Sequence, residues 1–171
     1  MVAIPAGAKV RASVLNASLP IIGRALNDVS VTSSTTLVNA DTGLAIALEA
    51  DSIYLWDAYI AYDAGATGDL KLAWTVPAST TGHWCGWGLS TATTGSIGDM
   101  VAIRAAGYGS GNTLSFGGSA SFSGFLALQA RGYIDTAATA GTLQLQFAQN
   151  TSNATATILK GGSWVRVVKA G

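Results

Sequence analysis

The chain has 171 residues, enough for one domain with a substantial core. Its nine basic and nine acidic residues cancel, make up only 11% of the sequence and are scattered singly. No basic stripe is present to neutralise a phosphate backbone, which argues against nucleic-acid binding. The hydrophobic fraction is 49% and the mean hydropathy is +0.39, yet no apolar run approaches the roughly 18 residues that cross a membrane. Gly, Ala, Ser and Thr replace the missing charge. A surface with so little repulsion is expected to be covered in part by partners, which points to an assembly protein.

Residues 1–28 read as an N-terminal arm and 29–171 as the domain. In the arm Val10 and Val14, then Leu15 and Leu19, are spaced four apart. Ser13 can cap a short helix that Pro20 ends, with extended chain around it through Ile21. Val29 to Val38 is rich in β-branched residues and reads as a strand; Asn39 to Gly43 is a turn cluster, and Leu44 to Leu48 a further strand.

Ile53 to Pro77 is the centre of the pattern. Tyr54, Trp56, Ala58, Ile60 and Tyr62 share one face at period two, and Leu70, Leu72, Trp74 and Val76 do the same in a second arm. The glycine-bearing link 64–68 predicts a β-hairpin. The first arm's other face carries Ile53, Leu55 and Tyr59 with only Asp57 and Asp63, so it is expected to be covered by a second sheet or by another subunit.

After Pro77 a long Gly/Thr/Ser segment holds one short strand around Trp84. Asp99 to Ala105 reads as a strand, 107–118 as mostly loop, and 122–134 as a strand despite some helical spacing. Leu143, Leu145 and Phe147 alternate with polar residues. Ala154 to Leu159 is then expected to return beside them, a Gly161-Gly162 turn follows, and Trp164 to Lys169 closes the domain. Nine or ten short strands with turns between them predict an all-β, jelly-roll-type β-sandwich.

Catalytic chemistry finds little to work with. His83 and Cys85 share a strand face, but no orienting partner for a thiolate is recognisable. Asp57, Asp63 and Asp69 are the carboxylates nearest a glycosidase pattern, although Asp63 and Asp69 suit the turn that they bracket. Gly107 to Gly111 lacks the strand–helix setting and lysine of a phosphate loop. With one cysteine, no disulfide or cysteine-based metal site can form within the chain. A surface calcium held by Asp and carbonyl oxygens stays open. No enzyme, cofactor or catalytic residue is therefore expected. Trp84, Trp87 and Tyr108 lie in loop-rich segments, where aromatic faces can stack on sugar rings. The three N-x-S/T sequons are turn chemistry, because no secretory signal precedes them.

The run SVTSSTTLVNADTGLAIALEADSIYLWDAYIAYDAGATGDLKLAWTVPAST resembles a module of structural proteins from tailed phages that infect actinobacteria. The ending GTLQLQFAQNTSNATATILKGGSWVRVVKAG is similar to the closing hairpin of the same module. The module is itself similar to the tumour-necrosis-factor-like jelly roll, which assembles as a tight trimer around aromatic and aliphatic strands. The resemblance implies a non-enzymatic virion protein, assembled in the host cytoplasm and placed on the capsid surface or in the tail. A short arm with no large anchoring domain favours capsid decoration over a minor tail or receptor-binding protein. On this reading the partners are two further copies, meeting through Leu55, Asp57 and Tyr59, and the major capsid protein. The latter is bound by Val10, Val14, Leu15, Leu19 and Ile21, and neither membrane nor nucleic acid is a partner.

Overall fold

A computed structural model describes residues 19–91, 104–119 and 125–170. The described residues form thirteen strands in two antiparallel sheets, with one 3-10 turn at Thr42–Leu44. The strands are β1 (Ile21–Arg24), β2 (Val29–Val31), β3 (Val38–Asn39), β4 (Ala45–Leu48), β5 (Ile53–Asp63), β6 (Leu70–Thr75) and β7 (Thr81–Trp87). Then follow β8 (Arg104–Ala106), β9 (Leu114–Phe116), β10 (Leu126–Asp135), β11 (Gly141–Gln149), β12 (Thr157–Leu159) and β13 (Trp164–Lys169).

The larger sheet runs β1-β13-β5-β10-β7-β8, with β12 beside β5 and β2 beside β12. The smaller runs β3-β11-β6-β9, with β4 also on β11. From β4 onward the chain changes sheet at nearly every connection, which is the winding of a jelly roll. The all-β sandwich expected from the sequence is what the chain adopts.

Alternation decides which residues meet between the sheets. From β5 come Tyr54, Trp56, Ala58, Ile60 and Tyr62, and from β6 Leu70, Leu72 and Trp74, all buried. Trp56 and Trp74 lie with ring centroids 4.6 Å apart, joining the two sheets at the centre of the core. Leu143, Leu145 and Phe147 of β11 and Leu128 and Ile134 of β10 complete it.

Two expected hairpins are corrected. Strands β5 and β6 belong to different sheets, so the segment between them is an arch that carries the chain across the sandwich. The amides of Gly68 and Asp69 both donate to the Gly65 carbonyl at 3.0 Å, and Asp69 takes a left-handed φ of 52°. Strands β11 and β12 are parted in the same way. The inner faces of each pair are apolar, and facing one another across the core buries both.

The Gly161-Gly162 turn is present, with the Ser163 amide donating to the Lys160 carbonyl at 3.3 Å, but it closes no hairpin. Strands β12 and β13 both pair with β5, Leu159 with Tyr62 and Trp164 with Tyr59, so they run in line along one neighbour. The residues between them bulge outward. The predicted strand 29–38 divides into β2 in the larger sheet and β3 in the smaller.

The predicted arm also meets the domain earlier than residue 29. Strand β1 pairs with β13, and Gly23 and Ala25 are buried, so residues 21–28 belong to the sandwich. A Cβ on Gly23 would sit 2.4 Å from the Gly43 carbonyl oxygen, so this close approach requires glycine. Val10, Val14, Leu15 and most of the strand expected at 99–105 lie outside the described residues.

Candidate functional site

The outer face of the larger sheet is the feature that a self-contained sandwich does not require. Its side chains fall in rows across β13, β5, β10 and β7, set by the registers of those strands. One row is Trp164, Tyr59, Gln129 and Trp87; the next is Arg166, Asp57, Arg131 and Cys85; a third is Val168, Leu55, Tyr133 and His83. An antiparallel sheet facing water ordinarily shows a polar outer face. Here Leu55 is 52% exposed amid aromatic rings.

The rings are ordered by their neighbours. Tyr59 stacks on Trp164 at 6.5 Å and 19°, as cross-strand partners in register. The Arg131 guanidinium lies 4.8 Å from the centroid of Trp87, a cation–π contact. His83 and Tyr133 are tilted together at 6.3 Å. The charges are few: Arg166 Nε donates to Asp57 Oδ1 at 2.8 Å, with Arg131 opposite Asp57 in register. A pit of about 120 Å³ lies between the first two rows, lined by Asp57, Tyr59, Gln129, Arg131 and Trp164. A shallow groove beside it is lined by Leu55, Asp57, Arg131, Arg166 and Val168.

The structure brings Leu55, Asp57 and Tyr59 onto this one face, as period-two spacing on β5 requires. At the edge of the same sheet β1 exposes aliphatic side chains on both of its sides, Ile22 in register with Arg166 of the outer face and Ile21 with inward-facing Val167. Leu19, Ile21, Ile22 and Leu26 are all about half exposed or more, with Ile22 at 66%. Leu19 and Ile21 are therefore on the surface, with Ile21 in edge strand β1. Sequence reasoning missed Trp164, Arg131 and Tyr133, because cross-strand register alone brings them beside β5, and Ile22, which register sets beside Arg166 of β13.

The three aromatics proposed for a glycan do not make one site. Trp84 is fully buried and donates its indole N–H to the Gly107 carbonyl at 2.8 Å, so it presents no face to a sugar. It sits on the inner side of β7, opposite in direction to Trp87. Tyr108 is seated at the other end of β7, where its hydroxyl accepts the Trp56 indole N–H at 2.8 Å. That hydroxyl also lies 3.0 Å from the Tyr133 carbonyl and 3.2 Å from that of His83.

The acidic candidates are likewise dispersed. Asp57 and Asp63 are six positions apart on one strand, roughly 20 Å at the usual rise. Asp69 is buried in the arch, where Oδ1 accepts from the Gly118 amide at 2.9 Å. Burial holds its carboxyl above the ordinary value of 3.8, against that hydrogen bond. Among the described residues no group of three or more His, Cys, Asp and Glu is placed to hold a metal ion. Among them, too, no helix is long and apolar enough to cross a membrane.

No family model matches this chain, and no curated protein matches it. Among solved structures it has a distant likeness to infectious bursal disease virus. For strain Gt the identity is 10% and the TM-score 0.23, over 88% of this chain and 40% of that one. For the VP2 subviral particle the identity is 10% and the TM-score 0.22, over 90% of this chain and 41% of the other. This chain thus spans about 40% of the length of those chains, and superpositions that poor carry no argument about function.

Proposed function

We propose that the protein is a non-enzymatic virion component that assembles as a homotrimer and decorates a phage capsid. The observation that carries the self-association is the outer face of the larger sheet, where Tyr59 and Trp164 lie on one side of the Arg166–Asp57–Arg131 row and Leu55, Tyr133 and Val168 on the other. A patch of this kind on a small domain is covered in an assembly. Ile22 of β1, in register with Arg166, extends the outer face to the edge of the sheet. The count of three copies rests on the resemblance to the trimeric jelly-roll module. The virion setting rests on the resemblance of residues 30–171 to phage structural modules, and the jelly-roll winding agrees with it.

Light scattering on the purified chain tests the assembly directly. The expected mass is three times the 17.3 kDa of one copy, and Tyr59→Asp is expected to yield monomer or aggregate. A wild-type monomer would remove the basis of this reading. Cryo-electron microscopy of the virion then tests placement, with trimeric density over the whole shell as the expected result. A second reading, a minor tail protein that contacts a host glycan, is favoured by the row Trp164, Tyr59 and Trp87. Its expected result is a few copies at the tail tip.

A further inference from the structure

The charges on the outer face of the larger sheet indicate what covers it. The registers that set its rows also place Arg24 of β1 beside Trp164 and add a further row of Ile53, Asp135 and Thr81. Among the described residues the strands of this sheet then direct Arg24, Arg131 and Arg166 outward, against Asp57, Asp63 and Asp135. The cations and anions are equal in number, so the face carries no net charge. A strongly acidic or basic partner finds no opposing field there, whereas a second copy brings the same mixture of both signs.

Among the described residues only Arg166 and Asp57 of these groups form an ion pair within the chain. Arg24 lies on the edge strand and Asp63 at the end of β5, both exposed to water. Arg131 and Asp135 differ, because both stand on β10, between β5 and β7 in the middle of the sheet. Four positions apart on one strand, their backbones are separated by roughly 13 Å. The Arg131 guanidinium lies over Trp87, which is in register with Gln129, on the side away from Asp135. Asp135 Oδ1 accepts from the Ala137 amide at 3.3 Å, and among the described residues no Lys or Arg pairs with its carboxyl. Covering this face without partners for them would strand two opposite charges that cannot reach each other.

We propose that Arg131 of one copy pairs with Asp135 of a neighbouring copy when the two meet through this face. The inference deepens the self-association reading and rests on it. Each copy supplies one cation and one anion at a fixed spacing on a central strand, so a second copy offers a partner for both. The guanidinium keeps its contact with the Trp87 ring while its N–H groups donate to the incoming carboxylate. The apolar rows supply buried area, and the Arg131–Asp135 pair fixes how the copies are placed against each other.

The test is a charge swap in the full chain, read by light scattering over a dilution series, with circular dichroism reporting the fold. Arg131→Glu and Asp135→Arg each set like charges together. Each is expected to raise the concentration needed for assembly at least about a hundredfold. The double variant Arg131→Glu/Asp135→Arg restores opposite charges in exchanged places and is expected to assemble within about tenfold of the wild type. Neutral variants give a second measure that involves no repulsion. Asp135→Asn keeps an acceptor for the Ala137 amide, and combined with Arg131→Gln it is expected to weaken assembly no more than either change alone. The inference is overturned if the wild type assembles and both reversals assemble equally well, or if the folded double swap stays dissociated. It is equally overturned if the losses of the two neutral variants simply add. In each of these cases the self-association reading stands, whereas a wild-type monomer removes both.

Discussion

The Tyr108 hydroxyl joins three strands through one oxygen, accepting from the Trp56 indole and donating its single hydrogen toward the carbonyls of Tyr133 and His83. Its phenol is pushed far above the usual range, chiefly by burial, so it remains a neutral donor. Tyr108→Phe leaves the indole N–H and two carbonyls without this partner. A loss of about 1–3 kcal/mol is expected in urea unfolding, with the sandwich retained. Asp69 presents the opposite case, a carboxyl whose native affinity for protons is raised by burial. Its protonated form fits the fold better, so its contribution is fullest below 3.8 and is lost as pH rises through the higher native value. Asp69→Asn keeps an acceptor for Gly118 and tolerates the left-handed backbone. It is expected to be at least as stable as the parent at neutral pH, with the difference shrinking in acid unfolding series.

Strand β5 is the element that the sandwich is built on, flanked by β10 along its whole length on one side and by β12 and β13 on the other. The bulge between β12 and β13 is held there by Ser163, whose Oγ accepts from the Ala61 amide at 3.0 Å and lies 2.9 Å from the Lys160 carbonyl. Ser163 is fully buried. Ser163→Ala therefore strands a buried amide, and a loss of about 1–3 kcal/mol with faster exchange of the Ala61 amide is expected. Strand β10 shows why a glycine sits mid-strand. A Cβ on Gly132 would lie 2.6 Å from Trp56 Nε1 and 2.7 Å from the Tyr108 oxygen. Gly132→Ala is expected to cost about 1–3 kcal/mol by thermal unfolding, because the indole and phenol must both shift.

For the assembly as a whole, the position of β1 changes the experiment that separates attachment from folding. Removing residues 1–28 would take away a strand of the larger sheet together with buried Ala25. Removing residues 1–18 keeps that strand. The shorter deletion is expected to leave the oligomer intact by light scattering and to abolish co-sedimentation with capsids. Undiminished capsid binding would move the attachment surface onto the sandwich. Leu55→Asp places a second carboxylate beside Asp57 on the outer face and is expected to shift the oligomer toward monomer.

The alternation of large apolar residues sufficed to place β5, β6 and β11 and to assign their inner faces, because a strand with one buried side must repeat with period two. Low charge and the doubly apolar β5 likewise marked out the face carrying Leu55 and Tyr59. Which strands pair was not legible. A hairpin and an arch of similar length show the same alternation, and only the docking of Trp56 on Trp74 across the core selects the arch. Burial of Trp84 beside only partly buried Trp87 also follows from the direction of β7, since residues three apart on a strand point to opposite sides. Trp164 and Arg131 join the outer face through contacts between segments far apart in the chain. The sequence determined each strand's period and inner face, which are local properties of the polymer. Tertiary structure alone decided register and sheet membership, and with them every cluster of side chains that a ligand or partner could meet.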